Sequence, residues 1–367
     1  MSTFQVTVLP ITIEIHPNAD ALELARIGAY RSVVRKGQFS TGDLVAYIPE
    51  DSILPDPLIE ELGLTGKLAG SGKNRVKAVK LRSILSQGIC MAAKPTWNPG
   101  QNVTEELGIT KYEPVIPAGF QGEMANVTSR RTVKYDIENF KRFSSVLNLG
   151  EEVVMTEKCH GTFAMFGFMS HDMCLAGENE AAHMIVSSKG LASKGLAFKL
   201  DAEANVNNLY VRTAKNLNLF QKVKDIFSLD KSVFILGEIF GPGVQDLTYG
   251  KSVQFRIFDI YLGNPNEGRF LNDSELDDVC VQLGVSRVPV LYRGPFSLEA
   301  LEAHTTGKET VSGQSTHVRE GVVVRPVMER VWDGDAILGS LPLGGRVQLK
   351  SVSEDYLFRK GNVTEFQ

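Results

Sequence analysis

Residues 156–162 read TEKCHGT and place a lysine, a cysteine and a histidine at consecutive positions, Lys158, Cys159 and His160. Three kinds of chemistry use such side chains. Cys159 and His160 could bind a metal ion, Cys159 could be a thiolate nucleophile, or Lys158 could attack an electrophile itself. The choice among them determines which kind of domain surrounds this stretch.

The local backbone argues against the first two possibilities. Adjacent side chains of a strand point to opposite faces, so Cys159 and His160 cannot bind one metal ion without distorting the chain. A cysteine nucleophile needs a base recruited through space, which adjacency in sequence does not supply. We therefore expect Cys159 to be a small buried side chain. Lys158 and His160 would share a face, and Gly161 would allow the backbone to approach a ligand closely.

Length and composition set the outer bounds. At roughly 150 residues per domain, 367 residues predict two domains. A net charge of −4 excludes a generic polycation, so any nucleic-acid site must be a local patch. No apolar run reaches the ~18 residues of a membrane helix, and MSTFQVTVLP does not resemble a signal peptide. Four cysteines without a CxxC pair predict a reduced, intracellular protein.

Short β-branched runs fill the N-terminal part of the chain. FQVTVLPITIEI at 4–15 predicts a strand, whereas ALELARIGAY at 21–30 fits a strand or a short helix. About five short strands with turns between them predict a small β-barrel, an OB-fold. A crowded basic group lies on a solvated face or in a groove for phosphates. Its members are Lys67, Lys73, Arg75, Lys77, Lys80 and Arg82.

After Gly150 the pattern changes to longer apolar strands alternating with helices. The helices are expected at 208–228 and at 273–283, the second followed by Gly284. Residues 129–143 would end in a short helix, and the polar stretch 304–318 would be a mobile loop. Strands are expected near 151–157, 162–169, 183–188, 233–240, 253–262, 320–325 and 346–351.

Polar or aromatic residues interrupt or border four of these strands. Glu238 lies between glycines in LGEIFG, Phe258 lies in FRIFDI, Glu320 begins EGVVVRP, and Lys350 lies in QLKS. Each residue alone could be an ordinary strand end. Two carboxylates, an aromatic ring and two lysines, Lys158 included, are together the components of a nucleoside triphosphate site. The carboxylates would bind metal and the ring would stack on the base.

The same segments resemble the motifs of the covalent nucleotidyltransferases, which are the DNA ligases, RNA ligases and mRNA capping enzymes. KCHG is similar to motif I, SSKGL to motif Ia, LGEIFG to motif III, FRIFDI to motif IIIa, EGVVVRP to motif IV and QLKS to motif V. Order and spacing agree over residues 151–351. His160 is typical of nick-sealing RNA ligases, and an OB domain that comes first is similar to the fifth RNA ligase family.

The resemblance implies a fold of the α+β class. An N-terminal OB-fold β-barrel would occupy residues 1–105 and a connector 106–150. An adenylyltransferase domain (an ATP-grasp-like ligase domain) would occupy 151–367, with antiparallel sheets and flanking helices.

The implied activity is ATP-dependent RNA ligation. A 3′-OH would be joined to a 5′-phosphate through lysyl-AMP and AMP-capped nucleic acid, in nick sealing during RNA repair. ATP and Mg²⁺ or Mn²⁺ would be required. The partners would be RNA ends or a nicked duplex with an RNA 3′-OH strand, with no membrane and no obligate protein partner. The protein would be a cytoplasmic monomer, or would act in the host cytoplasm if a phage encodes it. Alternatives are a DNA ligase, a capping-type nucleotidyltransferase, or a non-catalytic nucleic-acid-binding relative.

Residue roles follow from the same resemblance. Lys158 would be the AMP-accepting nucleophile, and His160 would act mainly in the later steps. Glu238 and Glu320 would be catalytic and would bind the metal, and Lys350 would contact the α-phosphate. The residues expected to bind ATP or AMP are Glu157, Lys158, Gly161, Thr162, Lys189, Glu238, Phe258 and Lys350.

Some positions depart from the family pattern. Phe163 stands where nick-sealing relatives usually carry asparagine, and Gln348 replaces the first lysine of motif V. A second SKG at 193–195 makes Lys194 an alternative to Lys189. Four further basic residues could reach pyrophosphate or RNA without an assignment: Arg130, Arg131, Lys141 and Arg142.

Overall fold

A computed structural model describes residues 4–113, 120–174, 183–227, 230–333 and 341–360. The described chain forms two compact units. The first contains residues 4–113 and 138–146 with residues 333 and 341, and the second contains the rest. The described residues of the predicted connector, 106–150, are divided between the two units, and the predicted domain bounds stay a prediction.

The strands follow each other closely along the chain. They are β1 (Thr7–Pro10), β2 (Thr12–Ile15), β3 (Leu22–Ile27), β4 (Tyr30–Arg35), β5 (Leu44–Ile48), β6 (Ser52–Ile53), β7 (Val79–Leu81), β8 (Ile84–Ser86), β9 (Ile89–Ala92), β10 (Thr110–Lys111), β11 (Met124–Asn126), β12 (Glu138–Asn139), β13 (Glu152–Glu157), β14 (Thr162–Phe168), β15 (Met184–Ser188), β16 (Leu196–Phe198), β17 (Val233–Phe240), β18 (Gln254–Leu262), β19 (Arg269–Phe270), β20 (Val290–Pro295), β21 (Gly321–Pro326) and β22 (Leu349–Val352).

The helices are short and most of them belong to the second unit. They are α1 (Asp56–Glu61), α2 (Lys189–Ser193), α3 (Leu209–Asn216), α4 (Leu219–Ile226), α5 (Asp273–Leu283), α6 (Leu298–Thr305), α7 (Pro342–Gly345) and α8 (Glu354–Leu357). Within the described ranges, none combines the length and apolar character needed to cross a membrane.

The first unit is built from short antiparallel strands. One sheet has the order β1-β5-β9 and another the order β2-β3-β4. The predicted strand at 4–15 bends at Ile11, whose backbone N–H donates to Asp43 O, so that β1 and β2 enter different sheets. The ambiguous stretch at 21–30 is extended, since it contains β3 and the start of β4.

In the second unit, a seven-stranded sheet has the order β11-β16-β15-β14-β17-β18-β19. Every residue of β14 is buried, because both faces of the sheet are covered. Phe166 and Phe168 pack with α3, α4 and α5 on one face, and Phe163 and Met165 pack in a separate core on the other. A second antiparallel sheet contains the run β22-β21-β13-β20.

Two helix predictions need correction. The helix predicted at 208–228 is two helices, α3 and α4, separated where Asn218 takes a left-handed conformation with φ 49°, which asparagine tolerates better than most residues. No α-helix forms within 129–143; single 3₁₀ turns flank an extended segment whose Val133 and Tyr135 side chains are buried. The helix predicted at 273–283 is confirmed as α5, with a capping box from Asn272 and Gly284 as its C-cap.

The stretch predicted to be a mobile loop, 304–318, is instead held from within. The buried Glu309 carboxylate accepts hydrogen bonds from the backbone N–H groups of Ser312 and Thr316 and from their hydroxyls. Buried polar groups are satisfied in this way wherever a loop packs against a core. The loop is therefore a folded element that can support neighbouring residues.

Candidate active site

Lys158 and Glu320 lie side by side because neighbouring antiparallel strands end there. Strand β13 ends at Glu157 and β21 begins at Gly321, and the Lys158 backbone N–H donates to Gly321 O at 3.0 Å. Lys158 Nζ lies 2.6 Å from Glu320 Oε1. The Lys158 side chain is 24% exposed.

Glu238 is brought to the same place by β17. Strands β14 and β17 pair with Thr162 opposite Ile239, which places Gly161 against the end of β17. A Cβ at position 161 would overlap the carbonyl oxygen of Ile239 and lie 2.9 Å from Glu238 Cγ. The glycine thus permits close approach of a neighbouring strand, a role that its position in the sequence alone did not reveal.

The charged groups of this site shift the pKa values of Lys158 and Glu238. Burial raises the pKa of Glu238 to about 8, with Lys158 opposing the shift and Glu320 adding to it. Burial lowers the pKa of Lys158, but the Glu320 and Glu238 carboxylates outweigh it, so that the pKa lies above its ordinary value. A depressed pKa at Lys158 would require nearby cations, whereas the protein alone surrounds the amine with carboxylates.

The His160 ring is buried and bonded through both nitrogens. Nε2 lies 2.8 Å from Asp246 Oδ1, and Nδ1 lies 2.9 Å from the Tyr356 hydroxyl. Nδ1 also lies 3.9 Å from Glu320 Oε2. Burial is the main reason that the pKa of His160 is lowered. Lys158 and His160 both face Glu320, in agreement with the prediction that they share a face.

Cys159 points the other way, as predicted. It is 4% exposed and packs with Phe240, Tyr249 and Val311. Burial raises the pKa of its thiol well above the ordinary value. A thiol in this setting is a poor nucleophile and a poor metal ligand.

Glu157, the residue before the lysine, is buried beneath the loop described above. Its Oε2 accepts hydrogen bonds from the Thr310 backbone N–H at 2.8 Å and the Thr310 hydroxyl at 2.6 Å. Burial raises the pKa of Glu157, and the Thr310 hydrogen bonds oppose this. Oε1 is buried and has no hydrogen-bond partner among the described residues, so it could accept a hydrogen bond from a ligand.

Phe258 is half-buried in an aromatic group. Its ring centroid lies 5.2 Å from that of Tyr135 and 5.8 Å from that of Phe163. The Tyr135 hydroxyl donates toward Asp259 Oδ2 and Gln348 Oε1 at 2.8 and 2.9 Å. Phe163 and Gln348 both depart from the family pattern. Phe163 packs against the predicted stacking ring, and Gln348 accepts a hydrogen bond from Tyr135, which packs against the same ring.

The remaining predicted residues have definite places. Lys189 begins α2, lies 3.0 Å from Asp136 and acts electrostatically on Glu238, whereas Lys194 is exposed at the end of that helix. Lys350 lies opposite Val323, which in turn lies opposite Thr156, so the three share a face of their sheet. The Thr162 hydroxyl is buried and lies 2.8 Å from the Tyr210 hydroxyl.

Several basic residues have structural partners. Arg75 is buried, donates to Asp51 Oδ1 at 3.0 Å and stacks on Tyr112, so it does not belong to an exposed basic surface. Arg131 is also buried, and its guanidinium donates to Met173 O at 2.9 Å. A cluster of basic residues in the sequence does not by itself predict these contacts.

Glu238 and Glu320 are the residues that could hold a metal ion here. In the described part of the chain, no group of three or more His, Cys, Asp or Glu side chains is arranged for metal binding. Mg²⁺ commonly takes one or two carboxylates together with substrate phosphates and water. A pair of carboxylates is therefore a sufficient protein contribution for that ion.

Sequence reasoning missed the residues that hold His160. Asp246 lies in the loop after β17 and Tyr356 in α8, which follows the last predicted motif. Arg359 donates to both Asp246 oxygens, from Nε at 2.9 Å and from Nη2 at 3.2 Å. No motif or spacing marks these three residues, since only folding brings them to the histidine.

Comparisons with known proteins agree with this architecture. A family model described as RNA ligase matches residues 151–338, and a model described as an OB-fold domain matches residues 6–93. A search of curated proteins returns no match.

Solved structures of Naegleria gruberi RNA ligase are similar over nearly the whole chain at 21% identity. An apo point mutant has a TM-score of 0.76 and covers 97% of this chain and 98% of its own. A pyrophosphate complex has a TM-score of 0.76, with 96% and 97% covered. A mutant with ATP and manganese has a TM-score of 0.75, with 96% and 98% covered. These likenesses confirm the predicted α+β fold with an N-terminal OB domain.

Proposed function

The chain belongs to the RNA ligase family, whose model matches more than half of it, and on that basis we propose that it joins RNA 3′-OH and 5′-phosphate ends at the expense of ATP. One observation carries the proposal. The Lys158 side chain is partly exposed, and its amine lies 2.6 Å from Glu320 and within the electrostatic influence of Glu238. These carboxylates raise the pKa of the amine, so its attack on a phosphorus requires a cation that neutralises them together with the phosphate charge.

Three steps would follow. Lys158 Nζ, as the neutral amine, attacks the α-phosphorus of ATP; an N–P bond forms and the bond to pyrophosphate breaks. The 5′-phosphate of RNA then attacks lysyl-AMP, which returns the amine and forms a 5′–5′ pyrophosphate linkage. The RNA 3′-OH attacks the 5′-phosphorus, loses its proton, and AMP leaves as the phosphodiester forms.

The site offers suitable contacts for the adenosine of ATP. The unpartnered Glu157 Oε1 can accept a hydrogen bond from an amino group, which the adenine base carries. The half-buried Phe258 ring supplies a surface on which a base can stack. Lys189 and Lys350 would contact the phosphates, and Gly161 and Thr162 would border the nucleotide.

Glu238 and Glu320 would hold Mg²⁺ or Mn²⁺. The raised pKa of Glu238 fits this assignment, because a buried carboxylate beside a second carboxylate gains stability from a bound cation. When bound, the ion neutralises phosphate charge and removes the influence that raises the pKa of Lys158. ATP and manganese in the Naegleria ligase structure support the same nucleotide and metal here.

We further propose nick sealing in RNA repair as the physiological task, with a nicked duplex carrying an RNA 3′-OH strand as substrate. The histidine in KCHG supports this choice over DNA sealing. We also propose a monomer that acts in the cytoplasm, or in the host cytoplasm for a phage protein. Cys90, Cys159 and Cys280 are free thiols, which suits a reducing compartment.

The test has two parts. The wild-type protein should form a covalent adduct with α-³²P-ATP and a divalent cation, and Lys158→Ala should not. Lys224→Ala, at an exposed position of α4, is the matched control and should label normally. Adduct in Lys158→Ala would overturn the assignment. Sealing assays on nicks with RNA or DNA on each side then test the strand, since a preference for DNA 3′-OH would contradict RNA ligation.

A further inference from the structure

His160 occupies an unusual position for a residue beside a nucleophile. Its side chain is 3% exposed, and both ring nitrogens have partners within the protein. A carboxylate only accepts hydrogen bonds, so Asp246 Oδ1 at 2.8 Å requires Nε2 to carry the proton. Nδ1 then accepts from the Tyr356 hydroxyl at 2.9 Å. The two contacts together select one tautomer.

The partners are themselves held in place. Arg359 donates to both oxygens of Asp246, and its guanidinium carbon lies 3.9 Å from the centroid of the Tyr356 ring. The backbone is held as well, because the His160 N–H donates to the Tyr249 hydroxyl at 2.6 Å. Contacts from the loop after β17 and from α8 thus converge on one imidazole.

The ring borders the proposed chemistry. Nδ1 lies 3.9 Å from Glu320 Oε2, and the other oxygen of Glu320 lies 2.6 Å from Lys158 Nζ. Because Nδ1 accepts from Tyr356, it has no proton to donate to Glu320. The imidazole therefore does not donate a proton to Glu320. Instead, its fixed position and tautomer restrict where the Glu320 carboxylate can lie.

We propose that Asp246 and Tyr356 are positioning residues for RNA ligation, which fix the tautomer and orientation of His160 beside Glu320 and Lys158. This inference rests on the proposed function. It also gives α8 a role, since that helix supplies the hydroxyl that completes the contact. A displacement of about 1 Å at a reacting group can lower a rate by roughly 100-fold.

Single-step kinetics test the proposal. Lysyl-AMP formation, AMP transfer to RNA and sealing of pre-adenylated RNA are each measured for Tyr356→Phe and Asp246→Ala. The step most impaired by His160→Ala should fall on the order of 100-fold in both variants. Tyr292→Phe is the matched control, because that tyrosine hydroxyl donates to Pro295 O at 2.8 Å and not to His160. Unchanged rates in both variants would overturn the proposal.

A double mutant separates positioning from general damage. If Tyr356 acts through His160, adding Tyr356→Phe to His160→Ala should cause no further loss. Loss equal to the product of the single effects would contradict the proposal.

Long-range ¹H–¹⁵N spectra give a readout that does not depend on activity. The His160 signal, assigned by its absence in His160→Gln, should show a protonated Nε2 and an unprotonated Nδ1, and Tyr356→Phe should shift Nδ1. The opposite tautomer in the wild-type protein would overturn the proposal. If the wild-type protein forms no lysyl-AMP, the proposed ligase function fails, whereas the spectra still decide the contact itself.

Discussion

Lys158 Nζ and Glu320 Oε1 lie 2.6 Å apart, at the adjoining ends of β13 and β21. The pairing of these strands brings the two residues close, because Glu157 lies opposite Val322 and the Lys158 backbone N–H donates to Gly321 O, next to Glu320. The two residues are 162 positions apart along the chain. Sheet topology therefore creates the charge environment of the nucleophile.

Replacing Glu320 with glutamine removes the charge of this side chain while keeping its size and shape. Glu320→Gln keeps an oxygen near Lys158 but removes the negative charge of a proposed metal ligand, so AMP labelling should fall by roughly 100- to 1000-fold even though the pKa of Lys158 also falls. Labelling rates over a range of Mg²⁺ concentrations measure the effect. The exposed Glu302→Gln on α6 serves as the control. Equal rates for Glu320→Gln and the wild-type protein would contradict the proposed role.

Gly161→Ala should disrupt both the fold and the site. The added methyl group overlaps the Ile239 carbonyl and presses on Glu238 Cγ, and such overpacking costs about 1–3 kcal/mol of unfolding free energy. Gly190→Ala is the matched control, since its Cβ meets nothing within 4 Å and helix α2 favours alanine. Denaturant unfolding should show opposite signs for the two variants. A neutral Gly161→Ala would refute the close approach.

Gln348→Lys tests whether this chain can restore the family's usual lysine. Gln348 is buried with Tyr135, Asp259 and Arg346, and the Arg346 guanidinium lies 2.9 Å from its Oε1. A lysine here would bury a second cation against Arg346, so we expect lower stability, by several kcal/mol, and weaker ATP binding. Thermal unfolding and the KM for ATP measure both effects. A fully stable variant would show that the network tolerates the charge.

Asp273→Asn should make the free energy of unfolding depend less on pH in the acid range. Burial raises the pKa of Asp273, but Arg287, Arg293 and Arg325 outweigh it, so the folded pKa lies below the ordinary value. The stabilisation is therefore fully present above the unfolded pKa of about 3.9 and is lost as the pH falls through the folded pKa.

At neutral pH the substitution should cost about 3–5 kcal/mol, because it weakens buried ion pairs, including Arg287 Nη2 at 2.6 Å from Asp273 Oδ1. Denaturant unfolding at several pH values should show this difference shrinking below pH ~4. The exposed Asp225→Asn is the control. A difference that grows as the pH falls would contradict the sign.

Local patterns in the sequence predicted much of the second unit. Alternation and β-branched residues indicated its strands, and Asn272 with Gly284 marked the ends of α5, because capping depends on side chains a few residues apart. The break at Asn218 was missed, since a single left-handed residue leaves the helical pattern almost unchanged. The extended segment 132–135 was also missed. It lies in a basic stretch that indicated a short helix, whereas Val133 and Tyr135 become buried through contacts with distant strands.

The sequence by itself determined the family, and it predicted the nucleophile and the carboxylates, because those residue types recur in short motifs that chemistry constrains. It also determined that Cys159 points inward, through the two-residue period of a strand. Only the tertiary structure decided the direction in which the pKa of Lys158 shifts, the close approach of β17 to Gly161, and the hydrogen bonds that hold His160 between Asp246 and Tyr356. Electrostatic shifts and hydrogen bonds depend on distances of a few ångströms between residues far apart in the chain, and those distances exist only after folding.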